Sequence, residues 1–187
     1  MKYYYNVDKK DIVLEVPGSV YYPEEDSEMF ADFIVARRAT FLRKKVLEIG
    51  CGSGLLAILC ARFGADVLAV DINIDAVNAT HENALTNKVA LDAMQSDLFE
   101  KINGKYDIVI FNTPYLPDED ELTKKAYSKN YSKGLVIKEF LSIYKNYLNK
   151  SGKAFVLVSS VTDEKMNGRI VAKKKIDWEE LRIIELR

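Results

Sequence analysis

The chain has 187 residues, of which 48% are hydrophobic and 29% charged, and its formal net charge is -1. This length suits one domain with a full core and is too short for two comfortable ones, and the composition is that of an ordinary soluble globular protein. The near-neutral charge excludes a broadly basic surface, so strong non-specific binding to nucleic acid is not expected.

In chain order, Tyr3 to Val7 and Ile12 to Val16 are β-rich and broken by Asp8-Lys9-Lys10-Asp11, which predicts a hairpin. Pro17-Gly18 ends it. Glu25-Asp26-Ser27 then opens a helix in which Met29, Phe30, Phe33, Ile34 and Arg37 follow helical spacing. From Lys45 strands and helices alternate. Val46 to Ile49 reads as a buried strand ended by Gly50, Leu55 to Phe63 as a helix closed by Gly64, and Val67 to Val70 as a strand ending in Asp71. Ile74 to Leu85 is a second helix of this region, Val89 to Met94 a weaker third strand and Tyr106 to Phe111 a strong fourth. Leu135 to Leu148 reads as an amphipathic helix and Lys153 to Ser159 as a fifth strand. Arg169 to Ile176 and Leu181 to Leu186 close the chain as two antiparallel strands.

This order predicts an α/β fold, doubly wound around a mostly parallel seven-stranded sheet with an antiparallel C-terminal strand pair. We read 1–187 as a single domain, the hairpin and helix of 1–40 packing on a core of 41–187. Cys51 and Cys60 are the two cysteines and His81 the one histidine. A structural zinc site needs four such ligands, so no metal is expected. No apolar signal core opens the chain and no apolar run approaches a bilayer's thickness, which points to a cytoplasmic protein.

Ligands of such sheets bind outside the carboxyl ends of the strands, and polar or Gly-rich signals fall at the ends of all four first strands. Glu48-Ile49-Gly50-Cys51-Gly52-Ser53-Gly54 joins the first strand to its helix, with glycines that permit positive φ and close approach to a ligand. Asp71 follows at about the 20 residues expected of a carboxylate that holds a ribose diol. The segment Gly52 to Ala57 also fits the dinucleotide pattern G-x-G-x-x-A, but it starts two residues late and Glu48 precedes it. The E-x-G-x-G-x-G arrangement instead resembles the first motif of the seven-stranded S-adenosylmethionine methyltransferases. That resemblance implies a Rossmann-like methyltransferase fold with S-adenosyl-L-methionine as cofactor. Glu48, Gly50, Cys51, Gly52, Gly54, Asp71 and Ile72 would then be cofactor-binding, with Asp97 and Leu98 of Ser96-Asp97-Leu98 at the adenine.

Asn112-Thr113-Pro114-Tyr115 follows the fourth strand directly and resembles the N-P-P-Y signature of methyltransferases that act on nitrogens conjugated to a planar system. The residue types suit that chemistry. An amide nitrogen is a poor nucleophile, and the side-chain oxygen of Asn112 with the main-chain carbonyl of Thr113 can accept its two N–H bonds and favour the attacking form. Pro114 fixes the turn, and Tyr115 offers a flat face for stacking. The sulfonium cofactor is already activated, so no strong general base is needed.

Val20-Tyr21-Tyr22-Pro23-Glu24-Glu25-Asp26-Ser27 is similar to the V-Y-x-P-x-E-D-S element of HemK-like glutamine methyltransferases, in the short archaeal and eukaryotic branch. The resemblance runs from Val20 to the final strand pair. It implies methylation of the glutamine of the Gly-Gly-Gln motif in class I release factors, with Tyr21, Pro23 and Glu25 lining the cofactor and substrate mouth and Asn112 standing among the cofactor-binding residues as well as the catalytic ones. It also implies a small zinc-binding activator protein that adds a strand along Val89 to Met94, the exposed edge of the sheet. Three features depart from the family: Thr113 replaces the first proline, Ser128 to Gly134 replaces a Gly-rich stretch, and Thr162 to Gly168 is short for the helix relatives carry there. The alternative function is methylation of an adenine or guanine amino group in RNA or DNA, which the same tetrapeptide serves.

Overall fold

The computed structural model describes residues 1–114, 133–160, 166–176 and 179–187. Strands β1 (Lys2–Val7) and β2 (Lys10–Glu15) pair antiparallel into a two-stranded sheet. The turn between them is only Asp8-Lys9, both at positive φ (51° and 62°), tighter than the four-residue break read from the sequence. Two consecutive residues of that hand match the twist of the flanking strands. Helices α1 (Glu25–Ala36) and α2 (Arg38–Phe41) lead into the main sheet.

That sheet is built from β3 (Lys45–Ile49), β4 (Asp66–Asp71), β5 (Asp92–Gln95), β6 (Tyr106–Asn112), β7 (Leu148–Ser159), β8 (Arg169–Ile176) and β9 (Glu179–Leu186). The spatial order is β5-β4-β3-β6-β7-β9-β8. The first five of these are parallel, and β9 runs antiparallel to both β7 and β8. The seven-stranded sheet with its antiparallel pair is as expected. Helices α3 (Leu55–Arg62) and α4 (Ile74–Thr86) connect β3, β4 and β5, and α5 (Lys133–Ile143) precedes β7.

Side chains alternate strictly across the sheet, as strands buried on both faces must. Ile108, Ile110, Phe155 and Leu157 join the core shared with α1, α3 and the hairpin. Val109, Phe111, Ala154 and Val156 join the opposite core, with Phe99, Val136 and Phe140 of the other layer.

The larger boundary differences from the sequence reading lie at the third strand, at the end of the long helix and at the fifth strand, which starts at Leu148 and not at Lys153. The third strand does not start at Val89. The end of α4 is closed by paired bonds, Val89 N–H to Ala84 O (3.0 Å) and Lys88 N–H to Leu85 O (3.1 Å), with Lys88 at φ 57°. This left-handed cap consumes Lys88 and Val89, so β5 is only Asp92–Gln95, paired with Leu68 to Asp71. The helix expected to reach Leu148 ends at Ile143, after which a 3-10 turn (Tyr144–Tyr147) leads directly into β7.

The hairpin is held by side chains acting as a substitute strand. Asn87 bonds both Val13 N–H (3.0 Å) and Val13 O (2.8 Å), and Asn83 bonds Glu15 N–H (2.8 Å) and Glu15 O (3.0 Å). One turn apart, on α4 and at its C-cap, the two amides satisfy alternate groups on the open edge of β2. On the other strand, the Tyr3 and Tyr5 hydroxyls donate to Glu28 (3.1 Å) and Asp32 (2.6 Å) of α1.

Candidate active site

Strand order reverses at β3, whose neighbours β4 and β6 receive connections on opposite sides; that is where α/β sheets open a crevice at their carboxyl ends. The loop after β3 lines this crevice. Gly50, Gly52 and Gly54 all have positive φ (68°, 54° and 86°). A Cβ on Gly54 would meet Thr80 atoms at 3.0 Å, so packing as well as φ demands glycine there. A Cβ on Gly52 would meet nothing within 4 Å, so Gly52 faces open space. Its glycine keeps the approach to the backbone clear.

The loop is fixed from three sides. Cys51 N–H bonds Val70 O (3.0 Å), Thr80 Oγ1 reaches Gly52 O (3.1 Å) and Cys51 Sγ (3.2 Å), and Asn83 Nδ2 donates to Ser53 O (2.9 Å). Asp71, at the end of β4, accepts from Gly52 N–H (3.0 Å) and Asn73 N–H (2.9 Å). Burial pushes the Asp71 carboxyl above its ordinary range, and the N–H groups of Asn73, Gly52 and Ile72 pull it back. Asp71 therefore shapes the loop besides offering its remaining lone pairs to the crevice.

Glu48 lies fully inside under the loop. Burial raises its carboxyl well above the usual range, countered by the Ala57 N–H and reinforced by Asp71. Its Oε2 is buried with no hydrogen-bond partner among the described residues. After β5, Ser96 N–H bonds Asp71 O (3.0 Å), which ties the Ser96-Asp97-Leu98 turn to the same crevice. Leu98 holds φ 41°, rare for leucine, with its carbonyl bonded by the Ser96 hydroxyl (3.2 Å). Asp97 is half-buried, and desolvation raises its carboxyl, helped by Glu100. Ile72 is half-buried beside Asp71, its carbonyl accepting from Gln95 Nε2 (2.8 Å).

Asn112 ends β6. Its Nδ2 donates to Asp26 Oδ2 (2.8 Å) and lies 3.4 Å from Ser27 Oγ. A carboxylate only accepts, so this contact settles which end of the amide faces which way. Oδ1 is left buried with no partner among the described residues. Thr113 explains itself: its hydroxyl (2.7 Å) and its N–H (3.3 Å) both donate to Leu157 O of β7. A proline in that place has neither donor, so the threonine adds a tie between the turn and the sheet. Pro114 is half-buried, and Tyr115 lies outside the described residues, as do residues 128–132 and 162–165 of the departing segments.

At the N-terminal element, Pro23 is buried and Tyr21 half-buried, its hydroxyl 3.2 Å from Asp26 Oδ1 and 3.3 Å from Glu24 Oε2. Glu25 is exposed; the inward acid of the pair is Asp26, 4% exposed. The sequence held the signal for this. Asp26 precedes Met29, Phe30 and Phe33 at i+3, i+4 and i+7, so it shares their buried stripe. Thr80, Asn83 and Asn87 are the other residues to which the sequence reading gave no role in the site, although Thr80 and Asn83 share the buried stripe of Ala76 and Ala79 on α4.

These groups fit a nucleoside attached to a polar tail: carboxylate oxygens at Asp71 suited to a diol, a half-buried acid at Asp97, an open glycine backbone at Gly52 and an orphan carboxyl oxygen at Glu48. Among the described residues no cluster of three or more His, Cys, Asp or Glu could hold a metal ion.

Comparison with known proteins agrees with the geometry. Residues 24–170 match the family model described as methyltransferase small domain. A Methanocaldococcus jannaschii protein, named as a candidate protein N5-glutamine methyltransferase, is 38% identical over 95% of this chain and 96% of its own length. The release factor glutamine methyltransferase of Lactococcus lactis is 28% identical over 87% of this chain and 67% of its own. Among solved structures, a T. thermophilus 16S rRNA N2 G1207 methyltransferase, in complex with AdoMet and guanosine, superposes with TM-score 0.69 at 18% identity. It covers 100% of this chain and 50% of that one. The ribosomal protein L11 methylase of Lactobacillus delbrueckii subsp. bulgaricus gives 0.64 at 20% identity, over 84% of this chain and 78% of that one.

Proposed function

The chain belongs to the HemK-like methyltransferases of the methyltransferase small domain family, and we propose that it methylates the side-chain amide nitrogen of a protein glutamine, in the Gly-Gly-Gln motif of a class I release factor. The observation that carries this reading is the orphan Oδ1 of Asn112, buried at the end of β6 and turned away from Asp26. It is an acceptor waiting for an N–H, which a primary amide nitrogen brings.

S-adenosylmethionine, when bound, supplies a methyl group on a sulfonium that needs no further activation. Asp71 would hold its ribose diol, Asp97, Leu98 and Ile72 its adenine, and Glu48 with the Gly50, Cys51, Gly52 and Gly54 loop its methionyl part. Tyr21, Pro23 and Glu25 would flank the mouth. Asn112 Oδ1 and the Thr113 carbonyl would take the two N–H groups of the acceptor, orienting its nitrogen and drawing its lone pair out of conjugation. Pro114 and Tyr115 would complete the acceptor side.

The same reading places the protein in the cytoplasm, and includes a small zinc-binding partner pairing with the sheet edge. What supports the partner is the position of β5 at one end of the sheet, beside exposed Leu85. A cavity of about 240 Å3 lies there, lined by His81, Ala84, Leu85 and Val89 to Asp92. Sedimentation with such a protein tests it: no complex, or a complex indifferent to Leu91→Lys, ends that part of the reading.

The function is tested by incubating the protein with labelled S-adenosylmethionine and either a class I release factor domain or ribosomal RNA. Label on the Gly-Gly-Gln glutamine, lost when that glutamine is replaced by alanine, is the expected result. Label on RNA bases with none on protein would establish the nucleic-acid alternative instead.

A further inference from the structure

We infer that Asp26 is a positioning residue of the active site: it acts through Asn112, fixing which atom of that amide faces the acceptor. The inference rests on the amide-nitrogen reading given above. Asp26 belongs to the first turn of α1 and Asn112 to the end of β6, yet their side chains meet at 2.8 Å inside the protein.

The carboxylate of Asp26 collects three donors: Asn112 Nδ2, the Ser27 N–H at 2.6 Å and the Tyr21 hydroxyl at 3.2 Å. The last two hold the carboxylate still; the first uses it. If the Asn112 amide turned over, Oδ1 would face a carboxylate oxygen at hydrogen-bond distance, acceptor against acceptor with no proton between them. The opposite end would present N–H groups toward an acceptor nitrogen that itself carries N–H groups. Both contacts would be repulsive, so Asp26 makes one orientation of Asn112 the only comfortable one. Ser27 Oγ, 3.4 Å from Nδ2, cannot replace this, because a hydroxyl donates as readily as it accepts.

Removal of Asp26 therefore frees the amide to turn without removing any group that touches the acceptor. Misplacement of this kind lowers the rate of the reaction more than binding, by about 10- to 100-fold. Asp26→Asn keeps the shape of the side chain but tolerates both orientations of its neighbour, so its loss is smaller than that of Asp26→Ala.

The test has two arms. In the first, the Asn112 side-chain amide is identified in a 15N-resolved NMR spectrum as the signal missing from Asn112→Ala, and is then followed in Asp26→Asn and Asp26→Ala. The expected result is a shifted signal that exchanges faster with solvent, in proteins whose remaining spectrum shows them folded. In the second arm, kcat and KM are measured for Asp26→Ala, Asn112→Ala and the double variant. The expected result is a fall in kcat with KM and cofactor affinity within about twofold of wild type, and a double variant no slower than Asn112→Ala alone. An Asn112 amide signal unchanged in Asp26→Asn, or losses that multiply in the double variant, would overturn the inference. If wild type transfers no methyl to a glutamine, the functional reading fails, and the NMR arm still decides the role of Asp26.

Discussion

Asp71, half-buried, and Glu48, fully buried, show how one carboxylate differs from another at the ends of neighbouring strands. Asp71 spends two hydrogen bonds on Gly52 and Asn73, so Asp71→Ala removes both loop ties and, on the proposed reading, the acceptor for the ribose diol. Charge-assisted bonds are worth about 1.5–3 kcal/mol each, so S-adenosylmethionine affinity falls by at least about 10-fold. Calorimetry checks this, and unchanged affinity would remove Asp71 from the cofactor site. Glu48 has an oxygen with no partner and a carboxyl raised by burial. A raised carboxyl binds protons more tightly in the folded than in the unfolded state. Stability is then lost as pH rises from the ordinary carboxylate range through the folded value. Glu48→Gln removes that loss, so the free variant gains melting temperature over wild type at neutral pH. The gain shrinks as the buffer is acidified. A difference independent of pH would mean that Glu48 is not the group titrating.

At the scale of elements, the coupling between hairpin and cofactor loop runs through α4. Asn83 holds Glu15 of β2 with two bonds and Ser53 of the loop with a third, and is itself 1% exposed. Asn83→Ala therefore releases both partners. We expect a loss of about 1–3 kcal/mol in stability, with amide exchange faster at Glu15 and in the loop. Exchange confined to the helix itself would contradict the coupling. This link was not legible in the sequence, because Asn83 sits in a helix whose apolar spacing explains the helix without it. Other elements were legible for physical reasons. The apolar runs of β3 and β6 admit only doubly buried strands, and Gly64 marks the end of α3 by its φ of 84°. The start of β5 was misread because Lys88 takes the left-handed position usually given to glycine, so nothing in its residue type announced the helix cap. Asp26 was passed over for a different reason: Glu25 and Asp26 are both acids, and only helical phase tells which of the two points inward.

For the molecule as a whole, parts distant in sequence divide one task. In the proposed reading the loop after β3 and the ends of β4 and β5 would cradle the cofactor, while β6 and the first turn of α1, joined by the Asn112–Asp26 bond, would clamp the acceptor. The site motifs were readable because each follows a strand, and a parallel sheet brings all strand ends to one side. Their contacts were not readable, since the pairing of Asn112 with Asp26 spans 86 residues and depends on where α1 docks. The division implies that the two halves fail separately. The measurement that tests this most directly is Asn112→Ala, with cofactor affinity and single-turnover methyl transfer to the release factor domain recorded on the same preparation. Affinity within about twofold of wild type and a rate lower by about 100-fold or more are expected, as when one preorganised group is removed from a transition-state site. A rate near wild type would contradict the division, and so would a loss explained by weakened cofactor binding alone.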